Sequence, residues 1–450
     1  MKWKEKFEKL KMVYVFCFVC YLLLSRMVLF VNLITLKGNS IIFVAFAGAG
    51  VLLVVAEAIL NWKRYLKLPY YFLIAFLLVC VISSIVNRQY GMADNVKTLA
   101  WMSIQIFILF SFVEGKSKEV FLSFMRKIMK CSIVIWFVGV AISFVQFLLV
   151  IKYVADFSEY ARRQGFYDER LFGVFSDPNY ASVTSLVILL FTVILYIHEK
   201  KKAWKVFYIV SGLLELFYIL LSGSRTALVC SYVTIPIFFF FLLRNFWKKA
   251  GKAWIGSLIL TVICACFLTF TAPFFVNLTE YTRNLRTLFG IEEYQQAVSL
   301  DRTDTTDPTN SRLKIWSSAI QVSGDNRVVG LSPRNLTPYA RANYPDSYIA
   351  RSEYQAHNGY VAVIVGSGLL GCACVLALFG YLFIHAIRYL KQHKDKEYNS
   401  MFIMSVCGAL AIGVSAMFFL DVFFVNTYTT ALFFMFGGKI ASYGMTTKGK

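Results

Sequence analysis

Four stretches hold the residues that could do chemistry: RLFGVFSDPNY (170–180), SGSRTA (222–227), NSRLKIWSSAI (310–320) and RSEYQAHNGY (351–360). They contribute Arg170, Arg225, Arg312 and Arg351 and one histidine, His357. An arginine fork grips phosphate oxygens in pairs and keeps its charge at any accessible pH. A neutral imidazole takes a proton near pH 7, and Asn358 after His357 reads as the N-cap of a helix whose positive end disfavours imidazolium. Several guanidiniums beside one base suit a reaction that deprotonates a hydroxyl while a phosphate-bearing group departs. Each residue also has a plainer reading. Arg170 could snorkel to a lipid phosphate, Arg225 could pair with an acid, and a lone loop histidine is commonly a surface residue.

The elements that must position these groups are membrane helices. The chain has 450 residues, 58% of them hydrophobic and 16% charged. Apolar runs of about 20 residues, the length that crosses a bilayer, recur from end to end and leave no room for a large soluble catalytic domain. Such runs predict spans near 13–34, 40–60, 69–87, 98–113, 131–151, 179–198, 206–222, 226–243, 254–276, 358–387, 401–420 and 422–438. The expected fold is therefore an all-α polytopic bundle of about 12 helices in a single membrane domain, 1–450. The first run has no small-residue cleavage pattern and reads as a retained helix. All ten cysteines fall in apolar segments, so no disulfide framework is indicated.

The short segments 1–12, 61–68, 114–130, 199–205, 244–253, 388–400 and 439–450 hold 28 of the 46 Lys and Arg. The positive-inside rule then puts both termini in the cytoplasm and His357 outside. The net charge of +21 follows from that topology and from contact with anionic lipid. Because the basic residues are dispersed over separate helix ends, nucleic acid is a poor partner. The external loop 277–356 is too long for a plain connector and should contain short helices. Leu313, Trp316 and Ile320, with Asn310 as N-cap, predict one amphipathic helix lying on the outer membrane surface. Asp177 followed by Pro178 reads as a helix start. Asp301, Asp304 and Asp307 lack convincing metal-ligand spacing, and no metal or cofactor is expected.

Taken in order, RLFGVFSDPNYAS, SGSRTA, NSRLKIWSSAI, Gly330 and AHNGYVAVIVGSGLLG resemble the O-antigen ligase and O-antigen polymerase superfamily over roughly 160–380. The resemblance implies a metal-independent, inverting membrane glycosyltransferase that moves a glycan from undecaprenyl pyrophosphate to an acceptor hydroxyl at the outer face of the bacterial cytoplasmic membrane. It implies that Arg170, Arg225 and Arg312 hold the pyrophosphate and that His357 activates the acceptor, with Asn358 and Tyr360 beside it in the substrate-binding set. Polymerases extend one lipid-linked chain onto another, and ligases transfer to a lipid A core sugar. A composition rich in Lys, Phe and Ile leans toward a capsular or exopolysaccharide polymerase, which would work with a flippase and a chain-length regulator. Two other readings stay open. One is a transporter, for which Arg26 is the main charge well inside a span. The other is a cell-wall glycan polymerase dependent on an outer-loop aspartate.

Overall fold

The computed structural model describes residues 2–157, 160–247, 250–282, 286, 288, 290, 298–300, 311–390 and 396–446. Ten helices among these are long and apolar enough to cross a membrane. They include α2 (Val28–Asn61), α3 (Leu68–Val86), α4 (Met92–Ile104, running on to Val113) and α5 (Lys118–Leu148). A second group is α6 (Pro178–His198), α7 (Lys202–Leu221), α8 (Arg225–Phe246) and α9 (Ala250–Phe270). Long α1 (Lys2–Leu24) packs among them and heads the chain. Each run becomes a helix because lipid offers backbone groups no hydrogen bonds, so they must pair within the segment. The starts are marked locally: Ser117, Asp177 and Ser224 each accept a backbone N–H of the helix they cap.

Beyond α9 come α10 (Ala272–Tyr281), then three short helices of the long loop: α11 (Arg312–Val322), α12 (Leu336–Asn343) and α13 (Tyr348–Ser352). The chain closes with α14 (Gly359–Leu390), α15 (Lys396–Ala416) and α16 (Tyr428–Thr446). The expected twelve spans are reached only when α1 and α16 are counted with the ten.

Three features depart from the sequence reading. First, the apolar run 13–34 is not one helix. The chain breaks at residues 25–27, where Val28 N–H donates to Val174 O (2.8 Å) and Ser176 N–H to Arg26 O (3.1 Å). Arg26 therefore sits at a helix break at the loop end of the bundle, not within a span. Second, residues 152–173 form a three-stranded antiparallel sheet, β1 (Lys152–Phe157), β2 (Tyr160–Tyr167) and β3 (Arg170–Gly173), in order β1-β2-β3. Third, α11 exists but turns a different face inward. Ile315, Ala319 and Val322 are buried in a small core with Leu331, Leu336, Ile349 and Val365, whereas Leu313 (58%) and Ile320 (49%) are exposed. Its N-cap is Ser311; Asn310 lies outside the described residues, as do Asp301, Asp304 and Asp307.

That small core seals the long loop onto α14. The helix is interrupted at Gly368 (φ 62°, ψ −164°), and segment 327–332 docks against the interruption. Leu331 and Ser332 N–H donate to Val365 O and Gly366 O (2.8 and 3.0 Å), and Leu369 and Leu370 N–H donate to Arg327 O and Val328 O (2.8 and 3.2 Å). Ser83 of α3 adds a bond to Gly330 O (2.9 Å). Backbone groups freed by the break are thus paired with protein, which is the condition for irregular chain at such a depth.

Candidate active site

The residues just before α14 set the geometry. Asn358 Oδ1 accepts from Tyr360 N–H and Val361 N–H (2.9 and 3.1 Å), capping the helix. Its Nδ2 donates to Met417 O (2.7 Å), tying this cap to the loop between α15 and α16. Asn358 lines the cavity described below, but both ends of its amide already hold backbone. His357, one residue earlier, has φ 46°, a left-handed value uncommon outside glycine. Its ring stacks on Phe419 (centroids 6.0 Å, 10°) and meets Tyr354 edge-on (5.7 Å). Neither ring nitrogen makes a hydrogen bond among the described residues. Burial holds the imidazole below the usual histidine range, the positive charge of Arg312 lowers it further, and Asp177 opposes both.

Three of the four stretches meet around the α7–α8 turn, and His357 is within electrostatic reach. Arg170 Nε donates to Ser222 O (2.8 Å) and its Nη2 to Asn179 Oδ1 (2.8 Å), so one guanidinium joins β3, the start of α6 and the turn. Gly223 (φ 60°) leaves room for it, since a Cβ there would lie 3.2 Å from Arg170 Cγ. Arg312 Nη1 reaches Thr226 Oγ1 (3.5 Å), one residue beyond the exposed Arg225. Tyr360 goes elsewhere: its hydroxyl donates to Gly413 O (3.0 Å) and its ring packs near Phe379 and Phe423. Its place on the helix turns it toward α15, away from the cavity.

His357 opens onto a cavity of about 320 Å³ whose charged lining sequence reasoning did not assign: Arg26, Arg162, Asp177, Arg334 and Asp421. Arg334 is fixed by Thr98 Oγ1 (3.0 Å) and Phe424 O (2.8 Å). Asp421 Oδ1 accepts from Phe423 and Phe424 N–H (2.9 and 3.0 Å); burial raises its carboxyl, while these amides and Arg334 pull it down. Sequence analysis had singled out Arg26, as a charge inside an apolar run, and Asp177, as a helix start, without giving either to a site; Asp421, the lone acid between the last two apolar runs, could have been found by that position. Arg162 and Arg334 carry no such signal.

Chemically, the arrangement offers an imidazole of lowered proton affinity, with no ring hydrogen bond among the described residues, on a polar cavity lined by guanidiniums. Residues 210–376 match the family described as O-antigen ligase. That span takes in Arg225, Arg312 and His357 and stops short of Arg170 and Arg26. No curated protein matches the chain.

Proposed function

We propose that this multi-pass membrane protein, whose residues 210–376 match the family described as O-antigen ligase, polymerises undecaprenyl-pyrophosphate-linked repeat units. The observation that carries the reading is His357, which lines the cavity, makes no ring hydrogen bond among the described residues, and feels the charge of Arg312, which lowers its proton affinity.

The acceptor sugar enters the cavity and presents a hydroxyl to His357. The imidazole nitrogen takes the proton as the oxygen attacks the anomeric carbon of the donor. The bond from that carbon to the pyrophosphate oxygen breaks, its electron pair leaves with the pyrophosphate, and a single displacement inverts the anomeric centre. In this reading Arg312 and Arg225 neutralise the departing charge, the role expected to contribute most in such a transfer. Arg170 acts through them, holding the turn that bears Arg225. General-base help is worth about 10²- to 10⁴-fold in rate.

In producing cells, His357→Ala abolishes polymer while lipid-linked repeat units accumulate. Full-length glycan made at the normal rate by a correctly folded His357→Ala protein contradicts the assignment.

A further inference from the structure

The side chains of Arg26 and Ser332 line the cavity without a hydrogen-bond partner among the described residues. The Arg26 guanidinium lies 4.8 Å over the Tyr180 ring and makes no hydrogen bond or ion pair among the described residues. Ser332 Oγ is buried, the residue being 1% exposed, and has no hydrogen-bond partner among the described residues. A buried hydroxyl without a partner is costly, and a half-buried guanidinium with no ion pair among the described residues is open to an incoming anion. Both groups line the space onto which His357 opens.

Two carboxylates share that space, which decides what kind of anion fits. Asp177 Oδ1 accepts from Asn179 and Tyr180 N–H (2.8 and 2.9 Å), and Asp421 Oδ1 is likewise taken by two amides. The second oxygen of each makes no hydrogen bond among the described residues. Set against the guanidiniums of Arg26, Arg162 and Arg334, the two carboxylates leave the lining a single surplus positive charge, too little to neutralise a pyrophosphate. A sugar with one carboxylate matches that surplus: its carboxylate pairs with Arg26 and its hydroxyls donate to the free carboxylate oxygens of Asp177 and Asp421. At about 320 Å³ the cavity is near the lower end of the roughly 300–1,000 Å³ common for ligand sites, room for a sugar residue but not for a whole repeat unit.

We propose that this cavity is a subsite for a carboxylate-bearing sugar of the acceptor glycan, recognised by Arg26. The assignment rests on the transfer reading above, in which the donor pyrophosphate lies on the Arg312 side of His357.

The test uses the full chain in lipid nanodiscs, titrated with glucuronic acid, glucose or inorganic pyrophosphate and read by saturation-transfer NMR. One charge-assisted pair predicts glucuronate binding about tenfold tighter than glucose. Arg26→Gln removes that preference and leaves glucose binding unchanged, and Arg26→Lys keeps part of it. The stitch to Ser176 uses the Arg26 main-chain oxygen, so both variants keep the helix break. Equal binding of glucuronate and glucose by the unaltered protein overturns the subsite. So does an Arg26→Gln protein that loses pyrophosphate affinity but keeps the uronate preference. The transfer reading is scored separately: polymer made by His357→Ala overturns it, whatever the sugar titrations give.

Discussion

Replacing Arg170 by lysine separates a phosphate ligand from a clamp. Among the described residues the native guanidinium donates to Ser222 O and to Asn179 Oδ1, each at 2.8 Å. A lysine ammonium keeps the charge but has one nitrogen, and the forked geometry that spans both acceptors is lost. At most one bond survives, so holding the α7–α8 turn closed becomes weaker by about 1.5–3 kcal/mol, the usual worth of one charge-assisted bond. Tenfold corresponds to about 1.4 kcal/mol, so amide hydrogen exchange over residues 222–224 speeds up roughly 10- to 150-fold in Arg170→Lys if these amides exchange through local opening. Polymer formation falls with it because Arg225 starts the helix that this turn positions. Exchange within about twofold of the native rate, together with normal polymer, refutes the clamp. Normal exchange with lost polymer shows instead that Arg170 meets the substrate directly.

Burial and Arg312 lower the proton affinity of His357, and a base works only when neutral. The rate of polymerisation by purified protein therefore climbs with pH through a midpoint below the ordinary histidine value and is flat above it. Arg312→Gln removes one of the lowering influences, so the midpoint moves up in pH; a midpoint that stays put disconnects the two residues. Gly330 has φ 75°, and a Cβ there would come within 2.6 Å of the Gly366–Gly368 backbone. Gly330→Ala costs on the order of 1–3 kcal/mol from the backbone conformation alone and lowers the melting temperature. Gly324→Ala, whose nearest neighbour would be Arg327 Nη2 at 3.9 Å, leaves the melting temperature unchanged.

The membrane bundle was legible because a span announces itself locally: each needs about 20 apolar residues in a row. What escaped were features made by distant partners. Val13 to Ile34 reads as one continuous run, and only the contact with Val174–Ser176, some 150 positions away, breaks it and exposes Arg26. The interruption of α14 likewise needs segment 327–332 to complete it. In α11 the stripe through Leu313 and the stripe through Ile315 are both plausible helical faces, and the rest of the loop chose between them. His357 and Arg312 could be picked out by residue type and neighbourhood. The cavity between Arg26, Arg334 and Asp421 could not, because it is assembled from five separate parts of the chain.

The docking of segment 327–332 into α14 has a consequence for how such a protein can change. Residues 333–356 form an arc fastened at both ends: upstream by the bonds into the helix interruption, downstream by the Asn358 cap and its link to Met417. Tyr354 touches the His357 ring and Arg334 and Asn335 are bonded to Thr98 and Asn87, so the ends of the arc cannot change without disturbing the histidine's surroundings. Its largely exposed middle, 341–347, can be lengthened, shortened or exchanged while those surroundings are kept.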